Sequence, residues 1–150
     1  MALAADSGIY NFGTQVVLFN SATSVLVASG LYSGASAVTA VGDSESASIA
    51  KFVYNGPLDI APDAQDCVHL FERARNIDGA GNHANVPSDT YPDKYLGSFL
   101  LDDSAATPQS GVLMASIQPE AEYYIQAGTV TANILAGYEL LMYPAAIQPK

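Results

Sequence analysis

The chain has 150 residues, 49% of them hydrophobic and 13% charged, with fifteen Asp and Glu against five Lys and Arg for a formal charge of −10. That length and apolar content supply one hydrophobic core and exclude wholesale disorder, while a second independent core would be cramped. The charge excludes nucleic acid as a partner, because each bound phosphate needs a cation to displace its counterions and the one close basic pair is Arg73 and Arg75.

Strand signals recur along the chain, and no window sustains the i, i+3, i+4, i+7 apolar spacing of a capped helix. Residues 1–14 carry little pattern and read as an N-terminal arm or tail. Their start, MALAADSG, lacks the basic end and apolar centre of a signal peptide, so retention inside the cell is expected. Short apolar or β-branched runs follow at Gln15–Asn20, Ser24–Ser29, Ala37–Val41 and Ile49–Tyr54, the last ended by Asn55-Gly56-Pro57. Ser29–Ala50 is rich in Ala, Ser and Gly, and part of it is read as helical.

Cys67–Arg75 is the clearest run of the middle. Its alternation puts Val68, Leu70 and Ala74 on one face, with His69, Phe71 and Arg73 on the other. Asp78-Gly79 and Gly81 then open a long polar loop that Pro87 and Pro92 stiffen. Tyr95–Leu101 resumes the sheet, and Val112–Ile117, Glu122–Gln126 and Tyr138–Tyr143 complete it. Pro144 and Pro149 remove ladder donors, so 144–150 reads as a C-terminal tail. The expected fold is all-β: one antiparallel β-sandwich or jelly roll of about eight strands over 15–143, with a long central loop and irregular termini. No apolar run approaches bilayer length, so no membrane partner is expected.

Catalytic constellations are weak. Asp102 and Asp103 are adjacent, which on a strand sends them to opposite faces, where they cannot share a proton. Asp59, Asp63 and Asp66 offer oxygens to a hard cation, but lack the glycine turn and bidentate glutamate of the familiar calcium loop. Cys67 is the sole cysteine, which precludes an internal disulfide, and its apolar surroundings mark it as a buried, inert thiol. Cys67 and His69 share a strand face, yet zinc usually takes three or four ligands, and a core histidine is the simpler reading. His83 falls in the loop, where solvent is its default surrounding. No spacing nominates a nucleophile with its base, and no glycine-rich segment opens a helix to cradle phosphate. Neither enzyme activity, cofactor nor metal is expected. Nine tyrosines remain: Tyr95, Tyr123 and Tyr138 read as strand packing, while Tyr91 and Tyr95 at the loop's far end suit a partner contact.

The stretch Phe71-Glu72-Arg73, Asn76-Ile77-Asp78-Gly79, Val86-Pro87, Tyr91 and Lys94-Tyr95-Leu96-Gly97-Ser98-Phe99, followed by Tyr123-Tyr124-Ile125 and Ala136-Gly137-Tyr138-Glu139-Leu140, resembles virion structural proteins of tailed bacteriophages. The resemblance covers roughly residues 66–144, and within it the chain looks like capsid cement or decoration proteins. It implies a non-enzymatic protein on the capsid exterior of a virion assembled in the host cytoplasm, a homo-oligomer that binds the major capsid protein and bridges neighbouring subunits. The contact residues it implies are Asp78, Gly79, His83, Val86, Pro87, Tyr91, Lys94 and Tyr95. A tail or head–tail connector component and a carbohydrate-binding module are the alternatives.

Overall fold

The computed structural model describes residues 9–37, 39–40, 49–74, 95–103, 109–118, 120–129 and 131–148. Nine strands run through them: β1 Ile9–Phe12, β2 Val16–Phe19, β3 Thr39–Ala40, β4 Ile49–Gly56, β5 Cys67–Ala74, β6 Tyr95–Leu100, β7 Gln109–Ser116, β8 Glu120–Gly128 and β9 Glu139–Gln148. Among the described residues there is no helix.

The strands form a five-stranded sheet, ordered β1-β9-β4-β7 with β2 also on β9, and a four-stranded sheet ordered β3-β8-β5-β6. Every strand pairing is antiparallel. Within this order lies a nested set of pairs: β2 with β9, β3 with β8, β4 with β7 and β5 with β6. Nested pairs of that kind are one long hairpin rolled up on itself, which is the jelly roll. The fold is therefore the all-β antiparallel sandwich that the alternating runs predict, with β1 as an additional strand.

Alternation along β4 shows why the sheets stack. Ala50, Phe52, Tyr54 and Gly56 are buried, while Lys51, Val53 and Asn55 point outward. On the opposite sheet Val68 and Leu70 of β5 and Tyr123 and Ile125 of β8 face inward. Ring pairs knit the two layers: Phe52 meets Tyr123 at 5.4 Å, and Tyr54 meets Phe99 at 5.6 Å. At one side β6 approaches β7 so closely that a Cβ on Gly97 would lie 2.7 Å from Leu113 Cδ1. The Tyr54 hydroxyl lies buried without a hydrogen-bond partner among the described residues, and burial raises its ionisation well above the ordinary phenol value. Burial likewise pushes Tyr138 up to about 12.

Three stretches bear on the sequence expectations. First, the described part of Ser29–Ala50 holds no helix and turns at Gly30, while residues 38 and 41–48 lie outside the described residues. Ser33 and Ser36 each donate their N–H to β8, to the carbonyls of Ile125 at 2.8 Å and Tyr123 at 2.9 Å. Their hydroxyls accept the N–H groups of the same two residues at 3.0 and 2.9 Å. Each serine thus replaces a ladder carbonyl by its side chain, which satisfies the β8 edge without a regular strand. Second, Ser24–Ser29 makes only isolated bridges, Val27 to Ile134 and Ser29 to Ala127. Asn20 caps the turn before it, accepting the N–H groups of Ala22, Thr23 and Ser24, and so ends the strand early.

Third, residues 9–12 and 144–148, from the stretches read as tails, join the sheet. β1 pairs with β9 from Ile9↔Gln148 to Phe12↔Ala145, outside the predicted 15–143 limits. Pro144 is accommodated because β1 and β2 lie end to end along one side of β9, and the break between them falls opposite it. Its carbonyl accepts the Gly13 N–H at 2.7 Å, so its missing N–H faces the same break while β4 pairs undisturbed on the other side.

Candidate functional site

Strand parity assembles one polar and aromatic face on the outside of the four-stranded sheet. β5 contributes Cys67, His69, Phe71 and Arg73. In register with them stand Leu100, Ser98 and Tyr95 of β6, and Gly128, Gln126, Tyr124 and Glu122 of β8. Tyr32 reaches the same face through its bridge to Gln126 and sets its ring edge-on to Phe71 at 5.2 Å.

His69 is the centre of a small hydrogen-bonded chain. Its Nδ1 lies 2.8 Å from Ser98 Oγ, which in turn lies 2.6 Å from the Tyr95 hydroxyl. Cys67 Sγ stands 3.6 Å from either ring nitrogen. The imidazole fits flat against β8 only because residue 128 is glycine: a Cβ there would come within 2.5 Å of Nε2 and 2.9 Å of the Cys67 carbonyl. The rings of Phe71 and Tyr95 flank His69 at 6.3 and 5.6 Å, and touch each other at 5.6 Å. Tyr95 is thereby held on three sides yet remains 50% exposed, and Leu100 beside Cys67 is 76% exposed.

Electrostatics keep this chain neutral. Burial pushes the Cys67 thiol up, and the nearby Asp66 carboxylate adds to that. Burial also lowers His69 from its ordinary 6.5, because an imidazolium is poorly solvated there. A protonated thiol beside a neutral imidazole is no activated nucleophile, and the described partners of His69 are Ser98, Cys67 and two rings, with no orienting carboxylate among them. The linkage has a definite sign. Well above pH 6.5 both states hold a neutral His69 and its contribution is complete; as pH falls through the ordinary value, the unfolded chain takes up a proton that the folded chain resists, and stability drops until the folded value is passed. Urea midpoints are expected to fall between about pH 7.5 and pH 5.5, and His69→Gln flattens part of that slope.

At the far end of the face Arg73 clamps Glu122. Arg73 Nε donates to Glu122 Oε2 at 2.9 Å, and its Nη2 makes a second contact to the same oxygen. The Tyr124 hydroxyl donates to that oxygen at 3.1 Å, while the Arg73 guanidinium lies over the Tyr124 ring. Arg73, one of the two arginines of the basic pair, is thus neutralised within the fold, while Arg75 lies outside the described residues.

The remaining acidic candidates serve as braces. Asp59 accepts the backbone N–H and the side-chain amide of Asn133 at 2.8 and 2.6 Å, which holds its carboxyl below the usual range. Asp66 accepts the Asp63 N–H at 2.8 Å and closes the 63–66 turn. Among the described residues no three His, Cys, Asp or Glu side chains gather as a metal site. The backbone of Asp102 is held by buried Gln109, whose side chain accepts its N–H and donates to its carbonyl at 2.8 and 2.9 Å. A separate cleft of about 340 Å³ lies between Val17–Val25 and Gly34–Ala37 over Tyr138.

Of the expected contact residues, Asp78, Gly79, His83, Val86, Pro87, Tyr91 and Lys94 lie outside the described residues. Tyr95 lies within them, on the face just described. Sequence inspection missed the Tyr95 contacts with Phe71 and Ser98 and the Tyr32 contact with Phe71, and elsewhere the Ser33-x-x-Ser36 edge and the Gln109 brace. Only the serine spacing leaves a local trace.

No protein-family model, curated protein or solved structure matches the chain. Function must therefore be argued from the faces themselves.

Proposed function

We propose that this chain is a non-enzymatic capsid cement or decoration protein of a tailed bacteriophage, seated on the outside of the shell and bridging neighbouring major capsid subunits. The observation that carries this reading is the braced, half-exposed ring of Tyr95 at one end of an edge strand whose other end carries exposed Leu100. A locked aromatic with a satisfied hydroxyl loses little entropy on docking and offers a large contact area, the character of an interface anchor. The 75–94 segment leaves from β5 and returns to β6, so any contact it makes is rooted at that same rim.

Charge favours an outward position. A chain of −10 is repelled by packed DNA and is better accommodated on the shell's outer side. Repetition around a shell also multiplies modest contacts, since docking one point raises the effective concentration of the next. Jelly rolls recur in viral capsid and lectin domains, an analogy of architecture that is compatible with this role.

The test is co-sedimentation of the purified protein with shells of the major capsid protein encoded beside it. Saturable binding at a fixed ratio is expected, weakened about tenfold or more by Tyr95→Ala or Leu100→Glu. Protein that stays in the supernatant at every concentration overturns the reading. Tyrosine-dependent binding to a glycan array in its place assigns a carbohydrate-binding module.

A further inference from the structure

We infer that a second copy of this chain packs on the outer face of the five-stranded sheet, giving a two-fold symmetric dimer. The surface is laid out by strand register. Val17, Leu141, Val53 and Val112 stand side by side across β2, β9, β4 and β7, all on the outward parity. The row spans about 14 Å at roughly 4.8 Å per strand. Val17 is 49% exposed and Val112 is 64% exposed, and Phe12 and Met114 extend the apolar surface on one side. A contiguous apolar patch of this kind marks an association surface rather than ordinary scatter.

Charge selects the occupant. The five strands of this sheet contain one cation, Lys51, and one anion, Glu139, in a chain that carries fifteen Asp and Glu. This is the face on which two acidic copies approach without mutual repulsion. The two charges also flank the apolar row symmetrically. Lys51 stands two residues from Val53 and opposite Tyr143, whereas Glu139 stands two residues from Leu141 in the other direction, opposite Asn55. Lys51 Nζ rests between the rings of Phe12 and Tyr143, 4.8 and 4.7 Å from their centroids. Among the described residues neither Lys51 nor Glu139 has an ion-pair partner.

A two-fold axis lying along the row, between two facing sheets, folds the row onto itself and reverses the strand direction. Each Lys51 then meets the partner's Asn55 and, one strand over, the partner's Glu139. One operation yields an apolar centre and two reciprocal charge pairs, the mark of an isologous contact. The packing of two sheet faces about 10 Å apart repeats outside the domain the geometry already used within it.

Sedimentation equilibrium up to about 100 µM detects any dimer with a Kd in the micromolar range. A dimer is expected for the wild type. Lys51→Glu or Glu139→Lys alone, which sets like charges together, weakens it about tenfold or more, and the double variant restores it. Val112→Glu, at an exposed edge position that folding does not need, also gives monomer. A wild-type monomer, a Lys51→Glu dimer of unchanged affinity, or a double variant that stays monomeric overturns the inference. Failure here is separable from failure of the shell reading, because Val112→Glu leaves the Tyr95 face intact and shell binding is scored on that face.

Discussion

Arg73→Ala is expected to destabilise the protein by about 3–5 kcal/mol, because it takes a cation away from a buried carboxylate rather than merely deleting a contact. The side chains of Arg73 and Glu122 are only 12% and 8% exposed, so neither charge has water to fall back on. The substitution removes both Arg73 guanidinium donors from Glu122 Oε2, the oxygen to which the Tyr124 hydroxyl also donates. The Tyr124 ring also loses the cation lying over it. Urea unfolding measures the loss directly. The diagnostic is the second variant: Arg73→Met combined with Glu122→Leu is expected within about 1–2 kcal/mol of wild type, since a well-packed apolar pair escapes the desolvation cost. If Arg73→Ala alone is as stable as wild type, the pair is solvated and its burial is not real.

Phe52→Ala is the second large effect, again about 3–5 kcal/mol, and its origin is a cavity. Phe52 is fully buried, stands in register between Met142 and Leu113, and carries its ring across to Tyr123 of the opposite sheet. Its removal opens space in the middle layer of the sandwich, where neither sheet can collapse to fill it without disturbing its own ladder. The neighbouring outward position provides the control. Val112→Ala, on the same sheet but exposed in the single chain, is expected within about 0.5 kcal/mol of wild type when both are titrated at concentrations low enough to keep the chain monomeric. Equal effects at the two sites contradict the assigned strand parity.

These two variants probe an outer face and the core, and the difference matters for function. Arg73 and Glu122 organise one end of the outer face that carries Tyr95, so losing the clamp is also expected to loosen that face. Phe52 holds the sheets together and reaches no surface. Shell binding that fails for Arg73→Ala under conditions where the variant remains folded places the clamp in the support of the interface.

Much of the architecture was legible in local pattern. Alternation in Cys67–Arg75 separated Val68 and Leu70 from His69 and Phe71, and β5 divides its residues in that way. Glu122–Gln126 likewise separated Tyr123 and Ile125 from Tyr124 and Gln126. A strand's side chains alternate strictly, so one buried face imprints a period of two on any sufficiently apolar run. Where that imprint is faint, the reading failed. Ser33 and Ser36 form an edge through hydroxyls, and hydroxyls on small residues resemble a loop. Pro144 looked like a stop, yet it sits where its partner strands are interrupted.

The amino-acid sequence by itself determined an all-β antiparallel fold, through its alternating pattern, and, through its single cysteine, that no disulfide forms within the chain. Tertiary structure alone decided which strands are neighbours, and with that every face described above. Glu122 reaches Arg73 across 49 residues of chain, Ser98 reaches His69 across 29, and Lys51 and Glu139 flank one apolar row from strands β4 and β9, far apart in the sequence. Periodicity is a property of a few consecutive residues, whereas pairing register is settled by which distant edges close on one another. A face built by register is therefore visible only once the sheet is rolled.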